Sequence, residues 1–307
     1  MPTTTRQSSF LHSVSSSALM LAATLYAPTA LGQTVTLSGD ATGNCSTALP
    51  VLTCGPSGNP YAGGIGVEVN NPGNATTRLE IGDGTNTVNV SGSSSAINSG
   101  SGIFFQATGT GTDNVILDIE NNVTVQNNAA GSSNVVQVDS NSSGGLGIIN
   151  AGTVTSQSAS GNAIDAIISN QAAIGNLSAN FLSTSNITAA RRGFAGINTG
   201  TGGLQVTNNG TITGGTATSS DGIYVRQSSV AATGSLNVIN TSTGVLNVRD
   251  INSAAINAAT KGSNNVALTN QGTINANATS LAGGSGRGVT GTIESMTSTA
   301  SITVTNA

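Results

Sequence analysis

Tryptophan is absent from this 307-residue chain, and lysine occurs once, at Lys261. Only 7% of the residues are charged. Lys and Arg number 8 and Asp and Glu 12, a formal net charge of −4. Nucleic-acid binders need clustered Lys and Arg, so nucleic acid is excluded as a partner. Coiled coils and helical repeats need abundant Leu, Glu, Lys and Arg, and they are excluded too. Aromatic residues are limited to three Tyr and five Phe. The only histidine is His12 and the only cysteines are Cys45 and Cys54. A four-ligand zinc module therefore lacks its ligands. His12 lies in a segment that reads as removed on export, which eliminates a Ser-His-Asp triad and a histidine-ligated metal from the mature chain. No catalytic, cofactor-binding or metal-binding residues are expected.

What is present begins with an export signal. Arg6 and His12 precede an apolar stretch from Ala18 to Leu31, broken by Pro28. Ala30 and Gly32 then form a small-x-small signature. The pattern predicts a signal peptide over 1–32, cut between Gly32 and Gln33. The stretch is shorter than the roughly 20 residues of a membrane span. An even count of two cysteines at short spacing in an exported chain favours a Cys45–Cys54 disulfide. The expected role of that loop is to pin an N-terminal cap over 33–60.

From about residue 61 to 307 one phrase recurs. It is an alternating apolar strand ending in Asn, a small turn with Gly, and a short Thr/Val/Ile strand. The clearest copies are GIINAGTVT (Gly147 to Thr155), LQVTNNGTIT (Leu204 to Thr213) and VALTNQGTIN (Val266 to Asn275). The strand-ending Asn gives a register mark: Asn121, Asn150, Asn180, Asn208, Asn240, Asn270 and Asn306, at intervals of 28 to 36 residues. The last copy reads as cut off in mid-repeat. A second phrase falls between the marks, as in NAIDAI (Asn162 to Ile167), DGIYV (Asp221 to Val225) and SAAIN (Ser253 to Asn257).

Two phrases in fixed order at a period near 30 are the signature of a solenoid. Period-2 alternation with dense Thr, Val, Ile, Asn and Gly rules out helix. The expected fold is all-β: a right-handed parallel β-helix of about 30-residue coils. Like strands stack about 4.8 Å apart, with Ile, Val, Leu and Ala inward and Thr, Ser, Asn and Gln outward. Equivalent Asn residues are expected to form one structural column. Stacked like charges would repel at that spacing, which accounts for the neutrality.

A signal peptide followed by LxVxNxGTIxG repeats alternating with GIxV resembles the passenger domains of Gram-negative autotransporters (type V secretion). The strongest carriers are GLQVTNNGTITGG (Gly203 to Gly215) with DGIYV, and LTNQGTIN with SAAIN. The resemblance implies an exported, structural or adhesive β-helix at the cell surface or outer membrane. Its implied partners are a host or environmental surface, or like chains by self-association. It also implies a barrel translocator, in cis or in trans. Such barrels are built of roughly ten-residue alternating strands with aromatic girdles. The last Tyr here is Tyr224 and the last Phe is Phe194, so these 307 residues are expected to lack the barrel.

Two alternatives remain open. A polysaccharide-active enzyme would need two carboxyl groups roughly 5–10 Å apart. Asp165 and Asp221 sit near the same phrase two coils apart, and Asp118 with Glu120 flanks a strand. Arg191 and Arg192 form the only basic pair and read as a surface loop. An ice- or crystal-binding face is suggested by the TVT and TIT runs, but these drift along the sequence by several residues per turn.

Overall fold

The computed structural model describes residues 33–71, 76–92, 101–127, 134–158, 160–215, 220–248, 253–276, 287–295 and 298–307. Residues 1–32, including Gly32 of the expected cleavage site, lie outside the described residues, and Gln33 is the first within them.

The chain winds as a parallel β-helix of about seven coils. Each coil contributes one strand to each of three sheets, and the described strands form sheets of nine, nine and seven. One coil runs through Phe194–Asn198 in the first sheet, Leu204–Asn208 in the second and Thr211–Gly214 in the third. The next repeats the circuit as Ile223–Gln227, Leu236–Asn240 and Val245–Val248. Alternation explains why these segments are strands. In Leu204–Asn208, Leu204, Val206 and Asn208 face in while Gln205 and Thr207 face out.

Stacking in register aligns like with like. Leu146, Leu177, Leu204 and Leu236 form one inward row. Val154, Ile187, Ile212 and Leu246 form another. Size is balanced across the interior, between neighbouring coils, where it cannot be matched along a row. Phe181 and Phe194 meet edge to face, with ring centroids 5.2 Å apart. Gly196 makes room for them, since a Cβ there would stand 2.9 Å from Phe194 Cε1.

The N-terminal end is closed by the strand Thr34–Gly39, which pairs antiparallel with Ile65–Asn70. It departs from the parallel pairing around it and covers the first coil's edge. The Cys45–Cys54 disulfide ties the intervening loop to Val51–Cys54. That short strand already belongs to the second sheet, in parallel register with Thr77–Ile81.

The structure corrects the expected Asn column at two positions. The inward row at the end of the second sheet runs Ile81, Ile119, Asn150, Phe181, Asn208, Asn240, Asn270 and Asn306. Asn180 is not in it. It pairs with Ile149 and Thr207 and faces out, because Leu177, Ala179 and Phe181 take the inward positions. A shift of one residue along a strand reverses the face. Asn121 is not in it either. Its strand ends at Ile119, and Asn121 lies in the corner beside Asn122, which takes a φ of +65°.

From Asn208 onward the row is a hydrogen-bond ladder. Asn208 Nδ2 donates to Asn240 Oδ1, Asn240 to Asn270 and Asn270 to Asn306, each at 2.8 Å. The same amides reach back to the corner carbonyls of Gly210, Gly244 and Gly272. The ladder thus satisfies buried amides and fixes the bend from second to third sheet. Asn150 is separated from it by Phe181 and donates to Ser185 Oγ at 2.6 Å instead.

A second internal polar row, Ser140, Ile168, Asn198, Gln227 and Thr260, ends the first sheet. Asn198 Nδ2 donates to Gly203 O at 3.0 Å and Gln227 Nε2 to Gly200 O at 2.7 Å. This row was not anticipated, because its residue types change from coil to coil.

Asn240 is fully buried and Asn180 is not, which separates their expected effects. Asn240→Ala strands the ladder partners above and below and is expected to cost about 2–4 kcal/mol. Asn180→Ala is expected to cost about 0.5 kcal/mol or less. Urea unfolding of the two variants checks this, and equal losses would contradict the register.

Candidate functional site

Charge gathers on the outer face of the first sheet. Gln137, Asp165, Ala195, Tyr224 and Asn257 form one outward row across five strands. Asp139, Ile167, Ile197 and Arg226 form the row beside it. Arg191 and Arg192 precede the strand Phe194–Asn198, and Asp221 lies in the corner before Ile223–Gln227.

Asp165 is 8% exposed. Its Oδ2 accepts from Asn134 Nδ2 at 3.1 Å and its Oδ1 from Asn162 Nδ2 at 3.0 Å. Burial pushes its pKa up to about 6, against the Asn162 hydrogen bond and with help from the charge on Asp139. Asp139 is itself raised by burial, opposed by Gln137 Nε2 at 2.9 Å. Among the described residues, its Oδ1 has no hydrogen-bond partner.

Asp221 is also raised by burial. It accepts from Ala254 N at 3.0 Å and Asn257 Nδ2 at 3.2 Å. Arg192 Nε lies 3.7 Å from Asp221 Oδ2, and its guanidinium sits 3.9 Å above the Tyr224 ring. Arg192 is thus held between an acid and an aromatic face, an arrangement that favours a cation there.

The acids anticipated from the sequence pair differently from expectation. Asp165 and Asp221 are two coils apart but not in one row, since the row-mate of Asp165 on that coil is Tyr224. The carboxylate that Asp165 senses is Asp139, on the adjacent strand. The sequence signal was there, in the outward Asp of NVVQVD, but it falls one phrase earlier. Asp118 is not teamed with Glu120. It is 3% exposed and ion-paired with Arg78, which also bonds Glu80 at 3.1 Å.

Chemically, Asp165 can hold and release a proton near pH 6. Asn134 and Asn162 each hold one oxygen of Asp165, the atoms a substrate would otherwise meet. Among the described residues, no group of three His, Cys, Asp or Glu side chains is placed to hold a metal ion.

The third sheet carries a different array. Thr124, Thr153, Asn186 and Thr211 form one outward row, and Gln126, Thr155, Thr188 and Thr213 form the next. The expectation that these phrases drift does not survive in three dimensions. Length differences between coils are absorbed in the corners, so the threonines stack in register.

Comparison of the chain with protein-family models, with curated proteins and with solved structures finds no match.

The raised pKa of Asp165 has a definite consequence for stability. The folded chain binds this proton more tightly than the unfolded chain, so the associated stability is full below pH 4. It is lost as pH rises from about 4 to about 6. Asp165→Asn removes that loss. The variant is expected to gain up to about 3 kcal/mol over the parent at pH 7 and little at pH 4. Thermal melts of both proteins across this range test it, and a pH-independent difference would contradict the assignment.

Proposed function

We propose that the chain is the exported, surface-displayed β-helical passenger region of an autotransporter-like protein, acting by contact and not by catalysis. The observation that carries this is the stacked solenoid, with outward rows of amides and hydroxyls repeated coil after coil. Such a face offers many weak, evenly spaced hydrogen-bonding sites, and affinity accumulates by multivalency. Its partners are a host or environmental surface, or like chains by self-association. A barrel translocator in cis or in trans completes the export route. The low positive charge leaves nucleic acid without an electrostatic anchor. The purified chain is expected to coat cells or abiotic surfaces, or to self-associate, in sedimentation and adhesion assays. Absence of both activities contradicts the reading.

The threonine rows favour a second reading, a crystal- or ice-binding face on the third sheet. Registered hydroxyls at about 4.8 Å along the stack can order water or match a lattice. On this reading the chain produces thermal hysteresis, and Thr155→Tyr with Thr188→Tyr abolishes it. A parent chain without hysteresis removes the reading.

A further inference from the structure

A groove of about 580 Å³ runs along the outer face of the second sheet. Its floor is the outward row Ile116, Gly147, Ser178, Gln205 and Asn237, on five successive strands. Its wall is the corner from the first sheet, with Asn114, Asn176 and Ser235 among glycines. The glycines follow from hydrogen bonding between coils. Asn114 Oδ1 accepts from Gly145 N at 2.8 Å, and Asn176 Oδ1 accepts from Gly203 N at 2.6 Å. A Cβ at Gly145 would stand 2.7 Å from Asn114 Oδ1, and one at Gly203 would stand 2.8 Å from Ser235 O. Asn and Gly therefore alternate up the corner, and each glycine lowers the wall.

The polar groups left over face the groove. The Oδ1 atoms of Asn114 and Asn176 are used between coils, and their Nδ2 atoms bond no other described residue. The side chains of Ser178 and Gln205 are exposed, and that of Asn237 half-exposed, without partners among the described residues. Every lining residue is uncharged. Ile174, at 74% exposure, supplies an apolar rim beside Ile116 on the floor.

These features select a ligand class. The floor row continues beyond Ile116 to Arg78, whose charge is taken up by Glu80 and Asp118, so an ionic ligand finds no free counter-charge here. Amides and hydroxyls that both donate and accept suit sugar hydroxyls, while the two isoleucines suit sugar C–H faces. Successive strands lie about 4.8 Å apart, close to the about 5 Å advance per residue of an extended β-linked hexose chain. Five strands span about 19 Å, the length of about four sugars.

We propose that this groove binds a neutral, extended β-linked polysaccharide along the stacking direction, with one sugar per coil. The proposal deepens the adhesive reading and rests on it, naming the surface chemistry that the solenoid would grip.

Calorimetry of the purified chain with neutral β-1,4-linked hexasaccharides tests it. Disaccharides, an α-linked hexasaccharide and a uronate hexasaccharide serve as comparisons. The neutral β-linked hexasaccharide is expected to bind about tenfold or more tighter than each comparison, the equivalent of one or two hydrogen bonds. Joint substitution of Ser178→Ala, Gln205→Ala and Asn237→Ala is expected to weaken it by at least about tenfold. Gln106→Ala, on the first sheet, leaves binding unchanged and serves as the control. No binding of the neutral hexasaccharide, equal binding of the uronate, or full binding by the triple variant overturns the proposal. If adhesion or self-association persists while no glycan binds, the groove assignment fails and the adhesive reading stands.

Discussion

Parallel stacking at a fixed spacing is the constraint from which the rest follows. Every side chain has a counterpart about 4.8 Å above and below it, so each position is chosen for compatibility with its own kind. Apolar rows satisfy this at once, as Leu146, Leu177, Leu204 and Leu236 do. Amides satisfy it by donating one way and accepting the other, and Asn208, Asn240 and Asn270 form such a chain inside the core, ending on the exposed Asn306. Charges satisfy it poorly, and the chain has few.

The charges that remain show how the constraint is met locally. Glu80 and Asp118 are stacked neighbours, and Arg78 bridges them. Asp139 and Asp165 lie on adjacent strands of one face, no cation among the described residues is bonded to either, and burial lifts both pKa values. Asp165 is held by two asparagine amides instead. The first sheet carries this cost at Asp139 and Asp165, the second meets it with the Arg78 bridge, and the third presents neutral rows.

Much of the fold was legible in the sequence because stacking repeats a phrase. The period, the alternation and the corner glycines gave a parallel β-helix, and the oxidised Cys45–Cys54 pair followed from spacing and context. Exact register was less legible. Asn180 reads like its neighbours, but the inward slot belongs to Phe181, which packs on Phe194. Asn121 reads like a strand end, but its strand stops at Ile119. The polar row through Asn198, Gln227 and Thr260 escaped notice because its members share hydrogen-bonding capacity and not identity. The site was less legible still. Asp139 and the Asn114–Asn176 groove depend on which outward residues are neighbours, and that requires register across corners of unequal length.

The central claim is that successive coils stack in parallel at constant spacing. Electron–electron resonance between spin labels on one outward row of the third sheet tests it most directly. With one label at Thr273 and the other at Thr153, Thr124 or Asn89, the partners lie four, five and six strands apart. The account predicts backbone separations of about 19, 24 and 29 Å, rising in equal steps. Distances that fail to rise in that order, as in antiparallel meanders, would contradict it.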